Sequence, residues 1–169
     1  MLYRGGNFMK NIWRILMLIG FALAIAISIS AQDAGKGAPK NPKFDAELAK
    51  KLGADKMGMK NYILVILKTG PTNVLEGNER DEIFKGHFAN IHRLAEEGKL
   101  VVAGPFDGDG DWRGMFIFNV TTVADAKALT ATDPVIKSGL MVAEYHKLYC
   151  SAALIEVGGI HQRIAETNF

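Results

Sequence analysis

The sequence predicts an α+β fold, a four-stranded antiparallel sheet with two helices on one face, and three observations predict it. Between Tyr62 and Tyr149, strand-length apolar runs and helix-length amphipathic runs succeed one another as β-α-β-β-α-β. Gly or Pro stands at most of the changes from one period to the other. The first run is apolar on both faces, as a central strand is, whereas the last alternates.

Taken in order, Tyr62 to Leu67 is the central strand, and Gly70-Pro71 stops it. Glu79 to Glu97 places Ile83, Phe84, His87, Phe88, Ile91, Leu94 and Ala95 in one broad stripe, the spacing of a helix laid on a sheet, and Gly98 ends it. Lys99 to Phe106 is a strand closed by Pro105. Asp107, Asp109 and Asp111 alternate with glycines after it and read as a solvated hairpin turn, because the terminal glutamate of a calcium loop is missing. Arg113 to Val120 is the next strand, with Met115 and Ile117 on one face and Phe116 and Phe118 on the other. Thr121 or Thr122 caps a second helix, Val123 to Ala131, built largely of Ala, Lys and Leu. Asp133 caps a short turn, Pro134 to Lys137, that stops at Gly139. Leu140 to Tyr149 is the last strand, its alternation around Val142, Glu144, His146 and Leu148 turning one face to solvent or a partner.

This order is the ferredoxin-like split unit, whose two helices cover one face only. Leu64, Ile66, Val101, Met115, Ile117 and Val142 are expected on the other, and so apolar a face requires a further layer. Sheet-to-sheet homodimerisation supplies it, as a barrel shared between two chains.

The flanks read differently. Met9 to Arg14 is a short basic leader, Ile15 to Ile29 an almost unbroken apolar run, and Ser28-Ile29-Ser30-Ala31 a peptidase site, so residues 1–31 are read as a secretory signal with a short upstream extension. The apolar run is short for a membrane span, which needs roughly 20 residues, so a retained anchor is the weaker alternative. The protein is therefore expected to be exported, periplasmic or secreted, with no stable membrane insertion after cleavage. Residues 32–60 form a flexible linker with a marginal helix spaced on Phe44, Leu48 and Leu52. Residues 61–150 are the folded domain. Residues 151–169 are a tail in which Ile155, Ile160 and Ile164 form a weak stripe broken by Gly158-Gly159, and a tail wrapping the partner subunit is the expectation.

The leader carries Arg4, Lys10 and Arg14 but no acid, so cleavage turns the formal charge from +2 to −1, 17 Lys and Arg against 18 Asp and Glu. That balance gives no ground for a nucleic-acid partner. Cys150 is the only cysteine, which excludes an intrachain disulfide and reads as a small buried hydrophobe.

Chemistry centres on His87, which a 3.6-residue period places on the apolar face with Phe84, Ile91 and Leu94. Asp133 is its one plausible carboxylate partner. A carboxylate accepting the proton of one ring nitrogen fixes the tautomer and leaves the other nitrogen as a base. The competing reading makes Asp133 a helix cap and His87 a packed core residue, and both hold together if each carboxylate oxygen takes one task. Arg113, at a strand start, is a candidate for holding an anionic group; Gly104-Pro105 is expected to set a bend that opens room beside His87. His92 lies about 140° round the helix from His87, and His146, Glu144 and His161 have no partner at ligand spacing, so the sequence supports no metal site. No glycine fingerprint or other residue set demands a cofactor.

His87 before Gly98, the stretch Gly98-Lys99-Leu100-Val101-Val102-Ala103-Gly104-Pro105-Phe106, the strand Arg113-Gly114-Met115-Phe116-Ile117-Phe118 and Asp133-Pro134 before Gly139-Leu140 together resemble the YciI-like (YCII-related) family of the dimeric α/β-barrel superfamily. The end, Tyr149-Cys150-Ser151-Ala152-Ala153-Leu154, looks like that of its exported subset. The resemblance implies a ferredoxin-like subunit, a dimer and an active-site pocket with one histidine and one aspartate. Carried over, these are His87 and Asp133. The expected function is an exported small-molecule-binding homodimer with a His/Asp acid–base site, of isomerase or lyase type if catalytic; the alternative is a non-catalytic binding or structural dimeric module.

Overall fold

Strands β1 (Met59–Thr69), β2 (Leu100–Pro105), β3 (Trp112–Phe118) and β4 (Met141–Ser151) form one sheet in the order β2-β3-β1-β4, every neighbouring pair antiparallel. A computed structural model describes residues 41–72, 77–108 and 110–167. The chain divides into a segment Met1–Phe44 and a unit Asp45–Phe169, and this sheet belongs to the second. The leader read over residues 1–31, most of the linker's start and Asp109 of the hairpin turn lie outside the described residues. Among the described residues no helix is long and apolar enough to cross a membrane.

The order is the β-α-β-β-α-β split unit, with α2 (Asn78–Glu96) after β1 and α3 (Val123–Thr130) followed by the short α4 (Pro134–Lys137) before β4. Local chemistry sets the ends. Thr122 caps α3 by accepting from the Asp125 N–H, and Gly98, at φ 65°, ends α2 with its N–H on the Ala95 carbonyl at 2.9 Å. The first helix, α1 (Ala46–Leu52), is better made than its sequence suggests. Asp45 caps it through the Leu48 N–H at 2.9 Å, Gly53 closes it in the left-handed conformation, and Leu52 is buried.

Pleat alternation divides the apolar residues into two layers. Ile63, Val65 and Leu67 of β1 with Phe116 and Phe118 of β3 face the helices and pack on Leu94 and Ala126. Tyr62, Val101 and Ile117 form the second layer with half-buried Leu64, Met115, Leu148 and Cys150. Val142 on that face is 44% exposed. The tail differs from expectation. After β4 it forms a 3-10 turn (Ala152–Glu156) that lays Leu154 and Ile155 on the second face of its own sheet, where the sequence reading put only the partner. Helix α5 (Val157–Ile164) follows.

Helix α2 also sits slightly rotated. Its buried residues are His87, Asn90 and Leu94, whereas Phe88 is 42% exposed and Ala95 is exposed. The stripe is therefore narrower than the apolar residues alone suggest, and it includes an asparagine.

Candidate functional site

Asp133 and His87 are 46 residues apart in sequence and meet where α4 starts against the middle of α2. Pro134 in the first turn of α4 has no N–H to offer, so the Asp133 side chain caps the next donor, with Oδ1 accepting from the Val135 N–H at 3.1 Å. The same carboxylate accepts from His87 Nδ1, which lies 2.9 Å from Oδ1 and 2.9 Å from Oδ2. Capping and pairing thus coexist. Gly86 permits the approach: a Cβ there would stand 2.8 Å from Cγ of Pro134.

Asp133 is completely buried and His87 is 7% exposed. Such a carboxylate needs donors on both oxygens, and Asn90 supplies the remaining one, its Nδ2 3.4 Å from Oδ2. Beyond it, Asn90 Oδ1 accepts from Arg93 Nη2 at 2.7 Å and lies 2.8 Å from the Thr132 hydroxyl. Because a carboxylate only accepts, the ring nitrogen facing it carries a proton, and in the neutral ring that leaves the lone pair on Nε2.

Three phenylalanine rings surround the imidazole: Phe84 edge-on at 6.0 Å, Phe88 at 5.5 Å and Phe116 at 6.0 Å between centroids. His87 is not sealed by them. It lines a cavity of about 810 Å³ with Leu67, Phe84, Ile91, Phe116 and Met141, and the cavity continues past the free edge of β2 to Val102, Met115 and, from α5, Val157 and Gln162. Ligand sites span roughly 300–1,000 Å³ and are mostly apolar with few polar groups, which describes this one. The C-terminal helix, read from sequence as part of a tail, is one of its walls.

Arg113 also lines the cavity, and its Nε donates to Thr69 Oγ1 at 2.7 Å, which ties the guanidinium to the end of β1. Pro105 and Gly104 line the same cavity as His87, and they reach it from opposite faces of β2. Gly104 pairs with Met115 and shares its face, the one away from His87; Ala103, opposite Phe116, is on His87's side. The cause is a register shift between Leu100 and Val102, which inverts the parity counted from Val101. Gly104 therefore contributes to the cavity from the second face, where a Cβ would meet nothing within 4 Å.

Sequence reasoning missed Asn90 and Gly86. The signal for Asn90 was its place three residues after His87 inside the stripe; for Gly86 there was only an unexplained glycine in a helix. Elsewhere, His146 pairs with Glu144 at 2.8 Å on the second face, and His92 and His161 line the outer cavity. Among the described residues no three His, Cys, Asp or Glu are grouped as metal ligands.

A model of the YCII-related domain matches residues 62–146. Among solved structures, the 5-chloro-2-hydroxyhydroquinone dehydrochlorinase from Burkholderia phenoliruptrix AC1100, in complex with 2,5-dihydroxybenzoquinone, is similar over 49% of this chain and 90% of its own, at 24% identity and a TM-score of 0.37. None of the curated proteins matches the chain.

Proposed function

Because the chain belongs to the YCII-related domain family, we propose that it is an exported homodimer that binds a small molecule beside His87 and moves a proton on it. The observation that carries this reading is the 2.9 Å pairing of His87 Nδ1 with a buried carboxylate at the wall of an 810 Å³ cavity. A histidine needed only for packing gains nothing from opening onto such a space.

In this reading Nε2 takes a proton from a carbon or oxygen acid of the ligand, and Asp133 holds the resulting imidazolium. The electron pair left behind spreads over the ligand's π system. Return of the proton to another atom completes an isomerisation; departure of a leaving group completes an elimination. Arg113, anchored on Thr69, faces the anionic part of the ligand, and the phenylalanines exclude water from the transfer. General acid–base help of this kind contributes about 10²- to 10⁴-fold.

The test does not require the substrate to be identified. Small 1,3-dicarbonyls and enols are incubated with the protein in deuterium oxide, and exchange at carbon is followed by NMR. Exchange should exceed the protein-free rate and fall by at least about 10²-fold in His87→Asn and Asp133→Ser. Exchange unaffected by either variant would sink the acid–base role.

The second reading, a non-catalytic binding or structural dimeric module, draws on the second face, which carries the exposed Val142 as well as the buried Ile66 and Ile117. In that case His87→Asn lowers thermal stability and leaves dimerisation, measured by sedimentation, as the protein's only solution property to respond to changes on that face.

A further inference from the structure

The polar chain behind Asp133 has a direction. Arg93 only donates, so the Asn90 atom facing it must be the amide oxygen, and the amide nitrogen is turned toward Asp133. Asp133 as a carboxylate only accepts, so the next hydrogen must come from His87 Nδ1. Thr132 accepts from Arg93 Nη2 at 3.1 Å, and its one hydroxyl hydrogen has two acceptors in reach, the same oxygen of Asn90 at 2.8 Å and the Leu129 carbonyl at 2.7 Å. The guanidinium is therefore what fixes the orientation of the Asn90 amide. Glu97 holds the other side of that guanidinium at 2.7 Å, and its carboxyl is kept below the usual carboxylate range by Lys99 first and Arg93 second. The chain runs from a buried imidazole to a half-exposed arginine on the surface of α2, whose side chain is 46% exposed.

We infer that Arg93, Thr132 and Asn90 are positioning residues: through the fixed amide of Asn90 they hold Asp133 as the acceptor for Nδ1–H and so keep the lone pair of the neutral His87 ring on Nε2. Asn90 is not there for packing, since an apolar residue at a buried helix position costs less than an amide that needs three partners. The inference deepens the acid–base reading and rests on it for its purpose, but the tautomer itself is measured without any substrate.

The experiment uses the full chain labelled with 15N at histidine, in which four rings are present and His87 is assigned by the signals lost in His87→Asn. Nitrogen shifts of the neutral ring separate the Nδ1–H from the Nε2–H form. In the wild type Nδ1–H should dominate. Asn90→Ala should raise the Nε2–H share at least threefold, although Asn90 does not bond His87. The double variant Arg93→Met/Thr132→Val removes every donor to the Asn90 oxygen from exposed positions, keeps the fold testable if Asn90→Ala does not fold, and should shift the share the same way. Asp133→Ser, which retains a capping oxygen but loses the reach to His87, is the reference for full loss. A ring that responds to Asp133→Ser and to neither of the others overturns the positioning role and leaves the His87–Asp133 pair intact. A ring that ignores all three overturns both.

Discussion

Replacing Gly86 by alanine sets two well-defined effects against each other. Mid-helix glycine costs about 1 kcal/mol relative to alanine, so an open helix would gain that much. Here the new Cβ would sit 2.8 Å from Pro134 Cγ and 3.5 Å from its Cβ. Carbon pairs rest at roughly 3.5–4.0 Å, and a proline ring fixed at the start of α4 cannot swing aside like the end of a lysine. The overlap of about 0.7 Å must be relieved by moving α4 off α2, which stretches the His87–Asp133 contact from 2.9 Å. Overpacking of this size costs about 1–3 kcal/mol, leaving a net loss of about 1 kcal/mol. Urea denaturation should give a lower midpoint at unchanged slope. Gly86→Ala/Pro134→Ala, which deletes the obstructing ring, should recover the helix gain and exceed the single variant. A single variant at least as stable as wild type would refute the reasoning, because the helix–turn contact would then not be what sets the spacing of the pair.

Asp133→Ala removes a cap and strands the His87 N–H in a buried site, and should lower unfolding free energy by about 2–4 kcal/mol; Asp133→Ser, keeping the cap, should recover about 1 kcal/mol of that, read by the same titration. Tyr149→Phe tests the contact at the far end of β4, where the Tyr149 hydroxyl is the main cause holding Asp55 below the usual carboxylate range and is itself raised by Asp55. The depressed Asp55 favours the fold above its unfolded value and loses that as pH falls through the folded one; the raised Tyr149 does so below its unfolded value and loses it as pH rises. Wild type and Tyr149→Phe should therefore differ in thermal midpoint near neutral pH and converge below about pH 4 and above about pH 10. Val142→Asp puts a charge on the exposed part of the second face and tests the proposed homodimer: with its seam there, the sedimentation coefficient should fall from that of a dimer to that of a monomer while far-ultraviolet dichroism is unchanged.

The order of elements was legible because period and punctuation agreed: the β1 run, the Gly98 stop, the Thr122 cap and the turn from Pro134 to Lys137 all stand where local chemistry puts them. The meeting of His87 with Asp133 was also foreseeable, since one side chain sat on an apolar face and the other was the available acid. What could not be read depends on register and distance. A single bulge between Leu100 and Val102 reverses which of Ala103 and Gly104 faces the helices, and no periodicity within β2 betrays it. Asn90 went unread because two of its partners, Asp133 and Thr132, come from the loop before α4. The tail's place on its own sheet is a packing outcome of Leu154 and Ile155, two residues too few to leave a pattern.

One carboxylate that both starts a helix and orients an imidazole ties two selection pressures together. Under the proposed acid–base role, a relative that keeps the reaction cannot trade this aspartate for serine, whereas one that has abandoned it needs only a capping oxygen, which serine supplies as well. Replacement of the aspartate by another capping residue would then mark loss of the proposed chemistry with the turn kept. Replacement of the histidine, which does not cap the turn, would mark the same loss.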